Sequence, residues 1–169
     1  MVSKKHKFHS RRGTTLISAL VAVAIILIAV IGTSNFRYYS ALDARKATAQ
    51  TEGARIALML CEDWRGIQGD LTYNPVTILG SNLTIAVSEG PAVPDGFASL
   101  GSFKILLDNP GDDEKDYHIT YYATLSWQDI KPGLRALNVV VAWAQRDKGT
   151  GDFKSTDKSY SLTTYTLTI

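Results

Sequence analysis

Five carboxylates fall within nine residues in "DNPGDDEKD": Asp108, Asp112, Asp113, Glu114 and Asp116. Oxygen donors in such density are the hard ligands that calcium takes. The ligand order and internal glycine of an EF-hand loop are absent, so a solvated acidic loop is the competing reading. Cys61 and His118 are the other candidates for chemistry. A Cys/His pair works only within hydrogen-bond reach, with a third group to orient the base. Cys61 lies beside the apolar stripe of a helical stretch, and His118 lies on the polar side of an alternating strand pattern. A small buried thiol accounts for Cys61 without catalysis. Asn82-Leu83-Thr84 matches the N-glycosylation acceptor, a triplet frequent by chance. Tyr117, Tyr121 and Tyr122 read either as a binding patch or as cross-strand packing residues. Zinc-ligand spacing, a phosphate loop, a nucleophile elbow and a dinucleotide fingerprint are all missing. The expectation is a protein that is not an enzyme and needs no cofactor, with calcium at the acidic loop as its one metal candidate.

The elements that would carry these groups begin with a charge boundary. Residues 1–13 hold Lys4, Lys5, Lys7, Arg11 and Arg12 and no acid. The remainder sets 13 basic against 16 acidic residues, a net charge of −3. It offers no basic field for nucleic acid. A lone cysteine excludes an internal disulfide. No charge occurs between Arg12 and Arg37. Thr14 to Ile31 is 18 residues, roughly 27 Å of helix, close to a hydrocarbon core of about 30 Å. With the basic flank N-terminal, residue 1 belongs in the cytoplasm and the bulk of the chain outside.

Three fates are open to this segment. "SRRGTTL" (residues 10–16) resembles a twin-arginine signal, which needs a small-residue cleavage site soon after the apolar run. The nearest such triplet, Ala47-Thr48-Ala49, lies well downstream in a helical stretch. The segment also reads as a plain uncleaved anchor. The third fate turns on Gly13, the glycine at the boundary between the charged leader and the apolar run.

Beyond the run, Arg37 to Arg65 contains no proline and one glycine, Gly53, among good helix formers. Ala49, Gly53, Ile56, Leu60 and Trp64 recur at helical spacing, with Met59 beside them. Gly66 and Gly69 stop the helix. "GTSN" (residues 32–35) interrupts the strong formers. It reads as the membrane boundary. Downstream, "NLTIAV", "SFKILL", "YHITYYATLSW", "LNVVVAWAQ" and "SYSLTTYTLTI" are strands. In the third, Tyr117, Ile119, Tyr121, Ala123, Leu125 and Trp127 share one face, and His118, Thr120, Tyr122, Thr124 and Ser126 the other. Asp129 to Gly133 is a turn and residues 146–157 a polar loop. Strands joined this way form an antiparallel meander, and a helix laid on it gives an α+β fold.

A short basic leader ending in Gly13, then Thr14-Thr15-Leu16-Ile17 and an apolar helix, resembles the class III signal of type IV pilins and type II secretion pseudopilins. "GLRALNVVVAWAQ" followed by "YSLTTYTL" is similar to the PilV-like and GspI-like minor subunits. The resemblance implies a pilin-like fold and a segment at residues 32–35 able to lose helicity when subunits pack into a filament. It divides the chain into a cleaved leader at 1–13, a transmembrane and filament-core helix at 14–32, its amphipathic continuation at 33–66 and a periplasmic sheet region at 67–169. Prepilin peptidase would cut between Gly13 and Thr14, and the new N-terminus would be methylated. Implied partners are the inner membrane, the peptidase and other pilin or pseudopilin subunits. The chain would be single-pass in the inner membrane first and in a pilus or pseudopilus afterwards. Two positions depart from the family: Thr14 replaces its usual Phe or Met, and Ser18 its fifth-position Glu. Ser18 escapes the burial of a carboxylate, because its hydroxyl can bond back to the Thr14 carbonyl. A subunit with no neighbour ahead gains nothing from Glu, so Ser18 points to a filament tip or initiation complex. Two further readings stand beside this one: a single-pass anchored envelope binding or adhesion module, and a twin-arginine-exported enzyme whose mature chain starts near Gln50.

Overall fold

The computed structural model describes residues 12–80, 83–107, 119–144 and 153–168. One long helix, α1 (Arg12–Gly66), precedes a short helix, α2 (Pro75–Leu79), and five strands. The strands are β1 (Thr84–Val87), β2 (Ala98–Leu106), β3 (Thr120–Lys131), β4 (Leu134–Trp143) and β5 (Lys158–Leu167). A 3-10 turn at Phe153–Ser155 precedes β5. The chain divides into two compact units, Met1–Arg45 and Lys46–Ile169.

In the first unit α1 runs through Gly32–Asn35 without a break. The Thr33 hydroxyl donates to the carbonyls of Ala29 (2.9 Å) and Val30 (3.0 Å). Weak formers cost less than about 1 kcal/mol each in a helix, and none here is proline. Gly13 and Thr14 lie in the first turn of α1, so the charge boundary falls inside the helix.

In the second unit the remainder of α1 roofs one face of the sheet. Ala49, Ile56, Ala57, Leu60, Cys61 and Trp64 are buried against Ile105, Tyr121, Leu125, Leu137, Val139, Val141 and Trp143. The helix axis comes close at Gly53, where a Cβ would stand 2.8 Å from the Trp143 ring. Tyr121 Oη donates to the Ala49 carbonyl (3.1 Å), a cross-tie from sheet to helix. The end of α1 is fixed by Gly69, whose φ of 69° brings its N–H to the Trp64 carbonyl at 3.0 Å. Trp64 Nε1 donates to the Asp70 carbonyl (2.8 Å) and Arg135 Nη1 to the Gly69 carbonyl (2.9 Å). These bonds satisfy carbonyls just past a helix end.

The sheet order is β1-β2-β3-β4-β5, every neighbour antiparallel. It is the expected meander, with three differences. β3 continues to Lys131, so the turn shrinks from Asp129–Gly133 to Pro132-Gly133. Gly133, at φ 78°, supplies the left-handed residue that so tight a link requires. α2 was not expected. Asn74 caps it, its Oδ1 accepting from the Val76 N–H (3.1 Å), and Pro75 opens it. Five residues are too few for a helical period to show. The polar face of β3 is not solvated either. Tyr122, Thr124 and Ser126 are buried: Phe153 meets the Tyr122 ring, and the segment after β1 approaches Thr124 at Gly90. Gly90 lies so close that a Cβ there would meet Ser102 Cβ at 2.7 Å. Under it a polar ladder joins the strands. Ser102 and Thr124 share a hydrogen bond (2.8 Å), and Ser126 Oγ donates to Asn138 Oδ1 (3.3 Å). Asn138 Nδ2 donates in turn to Ser161 Oγ (3.0 Å) and Thr163 Oγ1 (2.8 Å).

β1 and β5 are the two edges of the sheet. β1 has four residues and β5 has ten, and β5 pairs with β4 without a bulge.

Candidate functional site

The strongest chemical feature of the described chain is the surface of α1. From Leu16 to Ile31 every large apolar side chain is 53–71% exposed. Ile25, Ile26, Leu27 and Ile28 are consecutive and so point around the whole helix. A helix apolar on all sides is either buried in protein or spans a membrane. Length and composition suffice for a span: the most apolar window has a mean hydropathy of 2.9, with none of it buried within the chain. At roughly 1.5–3 kcal/mol per large side chain, leaving this surface in water forgoes on the order of 20 kcal/mol. That exceeds the whole stability of a typical domain, about 5–15 kcal/mol. The segment is therefore a candidate membrane span by length, composition and exposure.

The processing and assembly candidates lie on this helix. Gly13 and Thr14 are helical, and Ser18 is exposed one turn further on. The acidic cluster of Asp108, Asp112, Asp113, Glu114 and Asp116 lies outside the described residues, as do Asn82, Tyr117 and His118. Among the described residues no group of three His, Cys, Asp or Glu side chains gathers to hold a metal.

Cys61 is 1% exposed. Burial, then the Glu62 charge, push its thiol up to about 11, against a smaller downward pull from Arg65. It is protonated at neutral pH, the wrong form for a nucleophile. Tyr121 and Tyr122 are packing residues, not a surface patch. Tyr121 tilts against Trp143 (centroids 6.0 Å) and Tyr122 meets Phe153 edge-on (5.6 Å). Burial and then the Glu52 charge push the Tyr121 phenol up to about 12.

Two groups escaped the sequence reading. Arg135 reaches Asp129 through Nε (2.7 Å) and Nη2 (3.2 Å), and its guanidinium lies 4.5 Å over the Trp127 ring. This side-chain hydrogen bond holds the Asp129 carboxyl below its ordinary value. The i, i+6 spacing of the pair becomes visible only once the hairpin turn is placed. Phe36, Tyr38 and Tyr39 are exposed beside the polar tetrad, where aromatic content was the available signal. A shallow recess of about 270 Å³ lies among Lys46, Gln50, Trp143, Lys158 and Ser159, with no acid in its lining to serve as a partner base. No family model, no curated protein and no solved structure matches the chain.

Proposed function

We propose that the chain is a structural minor subunit of a type IV pilus or a type II secretion pseudopilus. One observation carries the reading. A single helix is apolar and exposed all round from Leu16 to Ile31, then one-sided from Ala49 to Trp64 over an antiparallel meander. A plain anchor needs the first property, and the second gives the helix a folded head. Prepilin peptidase would cut between Gly13 and Thr14 on the cytoplasmic side and leave the apolar surface intact. That surface is solvated by lipid while the subunit waits in the inner membrane and by neighbouring subunits after assembly. Ser18 supports a position at a tip or in an initiation complex, where no neighbour ahead would supply an amine for a fifth-position carboxylate.

N-terminal mass spectrometry of the protein extracted from membranes tests the reading. A methylated Thr14 at the start supports it. Retention of residues 1–13 supports instead a single-pass anchored binding module, and a start near Gln50 an exported soluble protein. Gly13→Val is expected to keep the leader attached and to abolish incorporation. Immunogold labelling of sheared filaments checks the position: label at one end supports the tip, and label spread along shafts rejects it.

A further inference from the structure

Phe36, Tyr38 and Tyr39 are 74%, 64% and 65% exposed on α1, with Arg37 among them. Their only ring contact among the described residues is with one another, Tyr38 meeting Tyr39 edge-on at 5.8 Å. At about 100° per residue, Tyr38 points roughly 200° from Phe36 and Tyr39 roughly 300°. The three rings therefore share about 160° of the helix circumference, and exposed Arg37 stands on the remaining side, all within about 5 Å of rise. An arginine and three aromatic rings in one turn, directly after a charge-free run, are the residue types that gather where a span leaves the hydrocarbon core.

We infer that Phe36, Arg37, Tyr38 and Tyr39 form a girdle seated in the lipid headgroup layer of the leaflet away from the basic N-terminus. The inference rests on the membrane-spanning reading of the same helix and adds where the span ends. Aromatic side chains with a polar tip favour the interface, where the ring meets acyl chains and the hydroxyl meets water. Arg37 offers a forked donor to lipid phosphates. The spacing agrees. Arg12 to Arg37 is about 38 Å of helix, between the hydrocarbon core of about 30 Å and the full bilayer of about 40–45 Å. The helix between these two positions is thus long enough to run from one headgroup layer to the other. Gly32–Asn35 consequently lies beneath the girdle rather than outside the bilayer, about one turn deeper than its polar composition suggests. Thr33 tolerates that depth because its hydroxyl is already bonded to the Ala29 and Val30 carbonyls.

The test is a depth measurement on the full chain in phosphatidylcholine–phosphatidylglycerol vesicles. Nitroxide labels are attached to single cysteines replacing Ala24, Phe36, Tyr39 and Ala44, and collision with oxygen is compared with collision with a water-soluble nickel chelate. Cys61 is 1% exposed and serves as the unlabelled background. Ala24→Cys is expected to read deep, Phe36→Cys and Tyr39→Cys at the headgroups, and Ala44→Cys in water. Positions 36 and 39 as aqueous as 44, or as deep as 24, would overturn the girdle while leaving the anchor intact. An aqueous reading at position 24 would overturn the anchor itself and the girdle with it. A second arm labels Ser34→Cys and changes Phe36, Tyr38 and Tyr39 together to Ala. A shift in depth supports a positioning role for the aromatics, and an unchanged depth rejects it.

Discussion

Gly53 stands where α1 meets the Trp143 ring, and a Cβ there would sit 2.8 Å from Cζ3. Helix propensity alone favours Gly53→Ala by about 1 kcal/mol, yet overpacking a buried contact costs about 1–3 kcal/mol. Trp143 is 4% exposed and has little room to retreat. Gly53→Ala is therefore expected to be net destabilising and Gly53→Val more so, read as lower urea midpoints. Asn138 gives a second prediction. Asn138→Leu keeps the volume but removes the acceptor for Ser126, which is fully buried, and the donor to Ser161 and Thr163. The one buried hydroxyl left orphaned, that of Ser126, places the loss at about 1–3 kcal/mol, since Ser161 and Thr163 are exposed and can turn to water; Asn138→Ala should add a cavity to it. Cys61 makes the third. Its thiol rises from 9.0 to about 11 on folding, so the folded chain holds a proton that the unfolded chain releases. The resulting stabilisation is complete below pH 9 and lost as pH climbs towards about 11. In Cys61→Ala this alkaline loss should flatten, as followed by urea midpoints between pH 8 and pH 10.5, while Tyr121 keeps a leg of its own at higher pH.

Arg135 joins three elements: it sits on β4, pairs with Asp129 of β3 and donates to the Gly69 carbonyl beyond α1. Arg135→Lys keeps the charge but loses the fork to Asp129 and the plane over Trp127. The expected penalty is about 1–2 kcal/mol, and amide exchange should show the last turn of α1 opening first. Nothing in the sequence marked this clamp, because Arg135 reads only as a polar residue near a turn. Other elements were legible. The Ala49-to-Trp64 stripe is a helical period of buried residues, and alternation located the strands of the meander. Alternation misled at β3, where Thr124 and Ser126 kept a polar pattern under a covering segment. A hydroxyl bonded across the sheet and a hydroxyl in water leave the same trace in a sequence. The site divides in the same way. The apolar surface of α1 was plain from its uncharged run, whereas the exposure of Phe36, Tyr38 and Tyr39 needed coordinates.

The unit Lys46–Ile169 contains all of the buried core, while the apolar surface of Leu16–Ile31 lies in the other unit. A fragment of residues 45–169 is thus expected to be soluble, to show mixed helix and strand by circular dichroism and to melt cooperatively. The full chain should need lipid or detergent. Aggregation of the fragment on expression would contradict a self-sufficient core. The unequal edges of the sheet set a limit on that fragment's shelf life. Sheets guard their edges with short strands, prolines, bulges or charges. β1 is guarded by being only four residues long. β5 offers ten regular residues with no proline, no bulge and one charge, Lys158. Among the described residues no strand pairs with its outer side. Stored concentrated, the fragment should convert slowly into fibres seeded through β5. Tyr165, 59% exposed, is the place to add a charge without touching the core. Tyr165→Lys should lengthen the lag before thioflavin signal appears and leave the melting curve unchanged. Among the described residues that edge is open for ten residues, so colloidal lifetime, rather than folding free energy, is the quantity expected to bound how long the fragment survives.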